Sequence, residues 1–187
     1  TLTLITTSGA LLATALLLAP TARATTAGSG NAATEVRAAS GFQAIALRGG
    51  IDLVVRQGNS ESVTVRADDN ILPLVQTVVE SSGETRTLRV QFKSGEPVRT
   101  RTQVVVTVDV VKLEAIASSG SGDITIEALT TPALTMSISG SSDAALKQLD
   151  TERLAISIAG SGDVQASGRA ARLEVSIAGS GDLRAPE

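Results

Sequence analysis

The sequence predicts an all-β protein, a parallel β-helix-like solenoid with coils of about twenty residues. Three observations carry this. First, one turn recurs four times, as Gly120-Ser121-Gly122-Asp123, Gly140-Ser141-Ser142-Asp143, Gly160-Ser161-Gly162-Asp163 and Gly179-Ser180-Gly181-Asp182, at offsets of 20, 20 and 19 residues. Second, apolar residues approach each turn at period two: Leu134, Met136 and Ile138, then Leu154, Ile156 and Ile158, then Leu173, Val175 and Ile177. Third, the alternation resumes after each turn, in Ile124 and Ile126, Ala144 and Leu146, Val164 and Ala166, Leu183 and Ala185. Period two is the pattern of a strand with one buried face.

Each repeat therefore reads as two short strands around a tight corner. A less regular segment, such as Glu127 to Ala133, is expected to close the coil. One repeat cannot bury its apolar edge alone. Stacked at the spacing of paired strands, about 4.8 Å, the repeats would align Leu134, Leu154 and Leu173 in one column and Ile138, Ile158 and Ile177 in another. Each buried aliphatic side chain contributes roughly 1.5–3 kcal/mol. That offsets the ordering entropy of a coil only if backbone pairing between coils is complete. Ser118 stands where later repeats carry isoleucine, so the first repeat is read as the junction with an irregular N-terminal β region.

That region is read element by element. Phe42 to Leu47 predicts a strand, Gly49-Gly50 a break, Ile51 to Gln57 a second strand, Gly58-Asn59 a turn, and Ser62 to Ala67 a third strand. Asn70 to Leu74 predicts a short helical turn, because Pro73 fits an early helical position. The β-branched run from Val75 to Val79 then prefers a strand. Ser82-Gly83-Glu84 turns that strand back onto Leu88 to Phe92, Gly95-Glu96-Pro97 is a loop, and Gln103 to Val111 is a further strand.

The chain start carries a different signal. Leu2 to Ala19 is an apolar stretch, followed by the small-x-small site Ala22-Arg23-Ala24. This predicts a secretory signal peptide over residues 1–24, clipped at its N-terminus because the chain opens on Thr1 with no basic segment. A transmembrane anchor is the rival reading, but the run is short and broken by threonines and Ser8. No cysteine follows it, which excludes a lipid anchor. Residues 25–38 read as a flexible leader, and 39–187 as the domain, expected to continue beyond Glu187.

Composition excludes several chemistries. The chain has no cysteine and no histidine, which removes disulfides, thiolate or imidazole metal sites and Ser/His or Cys/His catalysis. Phe42 and Phe92 are its aromatics, so the core is aliphatic and no aromatic platform can stack a sugar or a base. The net charge is -3, with no basic run, so no nucleic-acid patch is expected. No phosphate-binding loop is present, since Gly-Ser-Gly here precedes a strand rather than a helix.

Two readings of the repeated turn stay open. In the first it is corner chemistry: Gly120, Gly122, Gly140, Gly160, Gly162, Gly179 and Gly181 permit tight bends, and Ser and Asp side chains accept hydrogen bonds from nearby backbone N–H groups. In the second, Asp123, Asp143, Asp163 and Asp182 form a carboxylate ladder bridged by a hard cation such as Ca²⁺. The twenty-residue period does not match the nine-residue calcium β-roll. For an enzyme, the exposed candidates would be these aspartates with Arg153, Arg169, Arg172 and Lys147, but the charged loop residues do not repeat.

These residues also resemble a known family. Gly41-Phe42-Gln43-Ala44-Ile45, the strand Ile51 to Gly58, Val63-Thr64-Val65, Asp69-Asn70-Ile71-Leu72-Pro73 and the Ser-Gly-Ser-Gly-Asp turns are similar to the head GIN domain family of auto-transporter adhesins. The resemblance covers about Ala39 to the C-terminus. It implies an exported bacterial protein with a parallel β-helix-like fold, and it transfers no binding residues. The expected role is a non-enzymatic scaffold or binding module in the periplasm or at the cell surface. Its expected partner is a protein or glycan of the cell envelope. No cofactor and no nucleic acid are expected, and the membrane enters only through the signal segment. Were the protein to end at Leu183 to Glu187, an open last coil predicts end-to-end self-association or fraying. The alternatives are a carbohydrate-active β-helix enzyme and a Ca²⁺-stabilised module.

Overall fold

The computed structural model describes residues 24–94 and 96–185, so the signal peptide expected over 1–24 lies outside them apart from Ala24. The described chain is all-β. Strand β1 (Thr26–Ala27) is followed by β2 (Ala32–Arg37), β3 (Ala44–Gly49), β4 (Asp52–Gln57) and β5 (Ser62–Asp68). A 3₁₀ turn at Leu72–Leu74 carries Pro73 early, where its fixed φ fits, and leads into the β-branched strand β6 (Val75–Ser82). Gly83 takes φ +61° in the two-residue loop to β7 (Thr85–Phe92), and β6 and β7 pair antiparallel from Ser82↔Thr85 inward. Then come β8 (Val98–Arg99) and β9 (Val105–Val110). The repeat region supplies β10 (Ala115–Gly120), β11 (Ile124–Ile126), β12 (Leu129–Gly140), β13 (Ala144–Gly160), β14 (Val164–Gly179) and β15 (Leu183–Arg184).

Thirteen strands form one mixed sheet that wraps, nearly closed and barrel-like, around a single core that is aliphatic but for the buried Phe42. In the repeat region the pairing is parallel. Leu134 registers with Leu154 and Leu154 with Leu173, while Ile138 registers with Ile158 and Ile158 with Ile177. Leu134, Met136, Ile138, Leu154, Ile156 and Ile158 are all buried. On the last layer, β14, the equivalent Leu173, Val175 and Ile177 are 45%, 42% and 41% exposed.

Several expectations need correction. The sheet is not parallel throughout: β2 on β5, β5 on β9, and β6 on β7 are antiparallel pairs that close one end. Nor is the N-terminal region irregular. Strands β3 and β4 are a rung of the same stack, with β10 registered on β3 and β11 on β4, and with β7 and β9 paired below them. The segment closing each coil is itself paired, through Leu129↔Leu149, Thr130↔Asp150 and Thr131↔Thr151. There the Thr131 and Thr151 hydroxyls donate to the carbonyls of Ala133 and Arg153, two residues on, at 3.3 and 3.0 Å. The residues expected as a flexible leader are paired too, since β1 lies along β8 and β2 along β5.

Asp68 fastens that leader. Its carboxylate accepts the N–H groups of Gly30, Arg101 and Thr102 at 2.8, 2.9 and 3.2 Å. Burial pushes this carboxyl up, but those three backbone donors outweigh burial and hold it below its ordinary value of 3.8. Beside it, Asn70 donates from Nδ2 to the Ala27 carbonyl and accepts the Ser29 N–H at its Oδ1.

The shortened 19-residue spacing also has a local cause. Between Ala166 and Gly168 lies one residue, Ser167, where β13 carries Lys147 and Gln148, so the β13–β14 register shifts between Leu146 and Leu149. Gly168 absorbs the missing residue at φ +130°, packed so closely that a Cβ would lie 2.1 Å from the Leu149 carbonyl oxygen.

Candidate functional site

The repeated turns form one column of corners. Gly120, Gly140, Gly160 and Gly179 register directly on one another, and Gly49 registers below Gly120. Gly49-Gly50-Ile51-Asp52 is thus a fifth corner, which the sequence reading treated as a break. The first glycine of each corner has φ between +95° and +154°, and a Cβ on Gly140 would meet the Gly120 carbonyl oxygen at 2.3 Å. The second glycines, Gly122, Gly162 and Gly181, do not have positive φ. A Cβ on Gly122 would lie 1.9 Å from the Ile51 carbonyl oxygen, so close stacking of backbone on backbone sets that position.

Each corner aspartate touches the corner above or below. Asp52 Oδ1 accepts the Asp123 N–H at 3.0 Å, Asp143 Oδ1 the Asp163 N–H at 2.9 Å, and Asp163 Oδ1 the Asp182 N–H at 2.9 Å. The carbonyls of Asp123, Asp143, Asp163 and Asp182 accept N–H groups of Leu53, Ile124, Ala144 and Val164 at 2.8 Å. Among the described residues, no three acidic side chains converge so as to hold a metal ion. Beside the corners a depression of about 310 Å³ is lined by Asp123, Asp143 and Asp163 with Thr125, Gln165 and Arg184.

The other charged candidates lie elsewhere. Lys147 pairs with Glu127 at 2.9 Å and Arg153 lies 3.8 Å from Glu174, while Arg169 and Arg172 are exposed. None of the four lines the depression beside the aspartates. Asp109, in the antiparallel end, is held below its ordinary value by the Ser62 hydroxyl. Burial opposes this, and the Arg56 guanidinium reinforces it, binding at 2.9 and 3.2 Å.

A groove of about 650 Å³ lies beside the paired segments around Leu129 and Leu149. Gln57, Asn59, Thr130, Gln148 and Asp150 line it, over Leu129 and Leu149. Gln57 is clamped there. Its Nε2 donates to the carbonyls of Val111 and Thr130 at 3.2 and 3.0 Å, and its Oε1 accepts the Thr130 N–H at 2.8 Å. Such a wall offers amide, hydroxyl and carboxylate groups at fixed positions, a set suited to hydrogen-bonding a polar ligand. Of the residues singled out in the sequence, Lys147 lines this groove and Gly58-Asn59 marks it as a turn; the amides and Asp150 were missed because they follow no repeat.

Among the described residues no helix is long and apolar enough to cross a membrane. No curated protein matches the chain. Solved structures do. A putative lipid binding protein from Parabacteroides distasonis is 17% identical with a TM-score of 0.61, over 88% of this chain and 100% of that one. A putative adhesin from Bacteroides fragilis is 17% identical with a TM-score of 0.54, over 86% of this chain and 100% of that one. A putative cell adhesion protein from Clostridium sporogenes is 11% identical with a TM-score of 0.50, over 83% and 100%. At such identities the likeness is one of fold. The head GIN domain model, described as a putative auto-transporter adhesin, matches residues 41–187, and the chain belongs to that family.

Proposed function

We propose that this chain is an exported β-solenoid of the cell envelope or surface, acting as a non-enzymatic binding scaffold in adhesion. The observation that carries the reading is the direct register of Gly49, Gly120, Gly140, Gly160 and Gly179. It stacks successive rungs into continuous, rigid outer faces, the geometry by which repeat proteins present extended binding surfaces. The groove at Gln57, Asn59, Gln148 and Asp150 adds a polar recess on one side. The family's description as adhesins supports the same role. The ligand class is a glycan or protein of the envelope, met through hydrogen bonds rather than ring stacking.

The test is a binding screen of the purified chain against arrays of glycans and matrix proteins. A saturable ligand whose binding weakens in Asn59→Ala or Gln148→Ala supports the reading. Absence of any saturable ligand across both arrays removes it.

A further inference from the structure

One outer face of the stack is built by β7, β3, β10, β12 and the later halves of β13 and β14. Two of its outward rows in the repeats are small and partly hydroxylic, beside rows that carry Arg153, Arg172 and Glu174. Ala117, Ser137, Ser157 and Ser176 register in one row, and Ser119 and Ser139 in the next. Toward the antiparallel end the rows meet two arginines. Arg48 of β3 registers with Ser119, and Arg89 of β7 with Ala46.

A hollow of about 220 Å³ opens where they meet, walled by Arg48, Arg89, Gln91, Ser119, Ser137 and Ser139. No carboxylate lines it. Arg89 pairs with Glu80 at 2.7 Å, whereas exposed Arg48 has no ion-pair partner among the described residues. Two planar guanidiniums, an amide and three hydroxyls with no lining anion form a donor set for an oxyanion.

We propose that this hollow binds the carboxylate or sulfate group of an acidic polysaccharide. The inference rests on the adhesive reading and names its ligand class. One serine row continues away from the arginines through Ser157 and Ser176 at about 4.8 Å per strand, while the other passes to Ala159 and Ala178, so the sugars beyond the anionic group meet one line of hydroxyls. Val78, registered with Arg89, is the exposed large hydrophobic beside the hollow, and it does not line it. No tyrosine or tryptophan is present to stack a nucleobase.

The experiment measures binding of the chain to immobilised heparin and polygalacturonate, with dextran and anionic phospholipid vesicles as further arms. Binding to at least one acidic polymer is expected, falling as salt rises. Arg48→Glu is expected to weaken it by about tenfold or more, and Arg48→Lys by less. Arg66→Glu, the same charge change at the exposed position of β5, is expected to leave it unchanged. Equal loss in Arg66→Glu and Arg48→Glu overturns the inference, as does binding to vesicles alone. An array ligand held by the Gln148 groove, without uptake of either acidic polymer, also overturns it while leaving the adhesive reading in place. A melting temperature shared by the chain and its variants shows that the losses are not unfolding.

Discussion

The hydroxyls of Ser118 and Ser142 lie 3.0 Å apart inside the core. They occupy two positions at which the repeat pattern breaks, Ser118 in the isoleucine column and Ser142 at the second glycine of its corner. Both are buried, at 4% and 0% exposure, so each is the other's partner. The two departures from the repeat compensate one another.

Removing one hydroxyl should therefore cost more than removing both. Ser118→Ala is expected to lower stability by about 1–3 kcal/mol, because the Ser142 hydroxyl stays buried without its partner. The double variant Ser118→Ile, Ser142→Gly restores the repeat at both places and is expected to match or exceed the wild type. Urea unfolding of Ser118→Ala, of Ser142→Gly and of the two combined, read as a mutant cycle, measures the coupling. Strictly additive losses would contradict it.

The corner glycines separate two kinds of cost. Gly160 has φ +145°, and a Cβ there would sit 2.0 Å from the Gly140 carbonyl oxygen. Gly160→Ala is expected to destabilise by at least about 2 kcal/mol. Gly58 has nothing within 4 Å of the equivalent position and no positive φ, so Gly58→Ala is expected to change stability by less than about 1 kcal/mol. Denaturant midpoints of the two variants check the contrast.

At the aspartate column the needed property is an acceptor, not a charge. Asp163 Oδ1 holds the Asp182 N–H, and asparagine keeps that oxygen. Asp163→Asn is expected to be neutral or slightly stabilising, and Asp163→Ala to lose about 1 kcal/mol. Since no three of these carboxylates converge on one point among the described residues, the melting temperature should stay the same in millimolar Ca²⁺ and in chelator. A rise with Ca²⁺ that Asp163→Asn abolishes would restore the cation reading.

Asp68 should make the N-terminal strands acid-sensitive. Its folded carboxyl titrates below its ordinary value of 3.8. Its contribution is therefore complete above that value and is lost as pH falls through the lower, folded one. Hydrogen exchange at the amides of Gly30, Arg101 and Thr102 is expected to accelerate at the acid end before exchange in β12 and β13 does. Asp68→Ala should show the accelerated exchange already at neutral pH.

What was legible in the sequence follows from what repeats. The register of Ile138, Ile158 and Ile177 could be read because each precedes the same corner at the same distance. The β6–β7 hairpin was legible at Gly83, where turn chemistry is local. The corner at Gly49 was not. It keeps only the glycine and the aspartate three residues on, and Asp52 meets Asp123 across 71 residues. The antiparallel pairing of β5 with β9 was hidden because both strands alternate alike and nothing local names a partner. The Gln57 groove was hidden because its wall draws single polar residues from positions as far apart as Gln57 and Asp150.

The long excursion between Asp52 and Asp123 has a kinetic consequence. Strands β3 and β4 are made early, yet the neighbours they lie between, β7 and β9 on one side and β10 and β11 on the other, all come later in the chain. During synthesis their ladder edges must wait for segments that emerge after residue 84 and, on the other side, after residue 114. Loop-closure entropy of that span has to be met before any of those contacts forms, which favours slow, late and all-or-none folding. Until β10 and β11 are made, one ladder edge of β3 and β4 stays open, so that rung is exposed longest to wrong strand pairing.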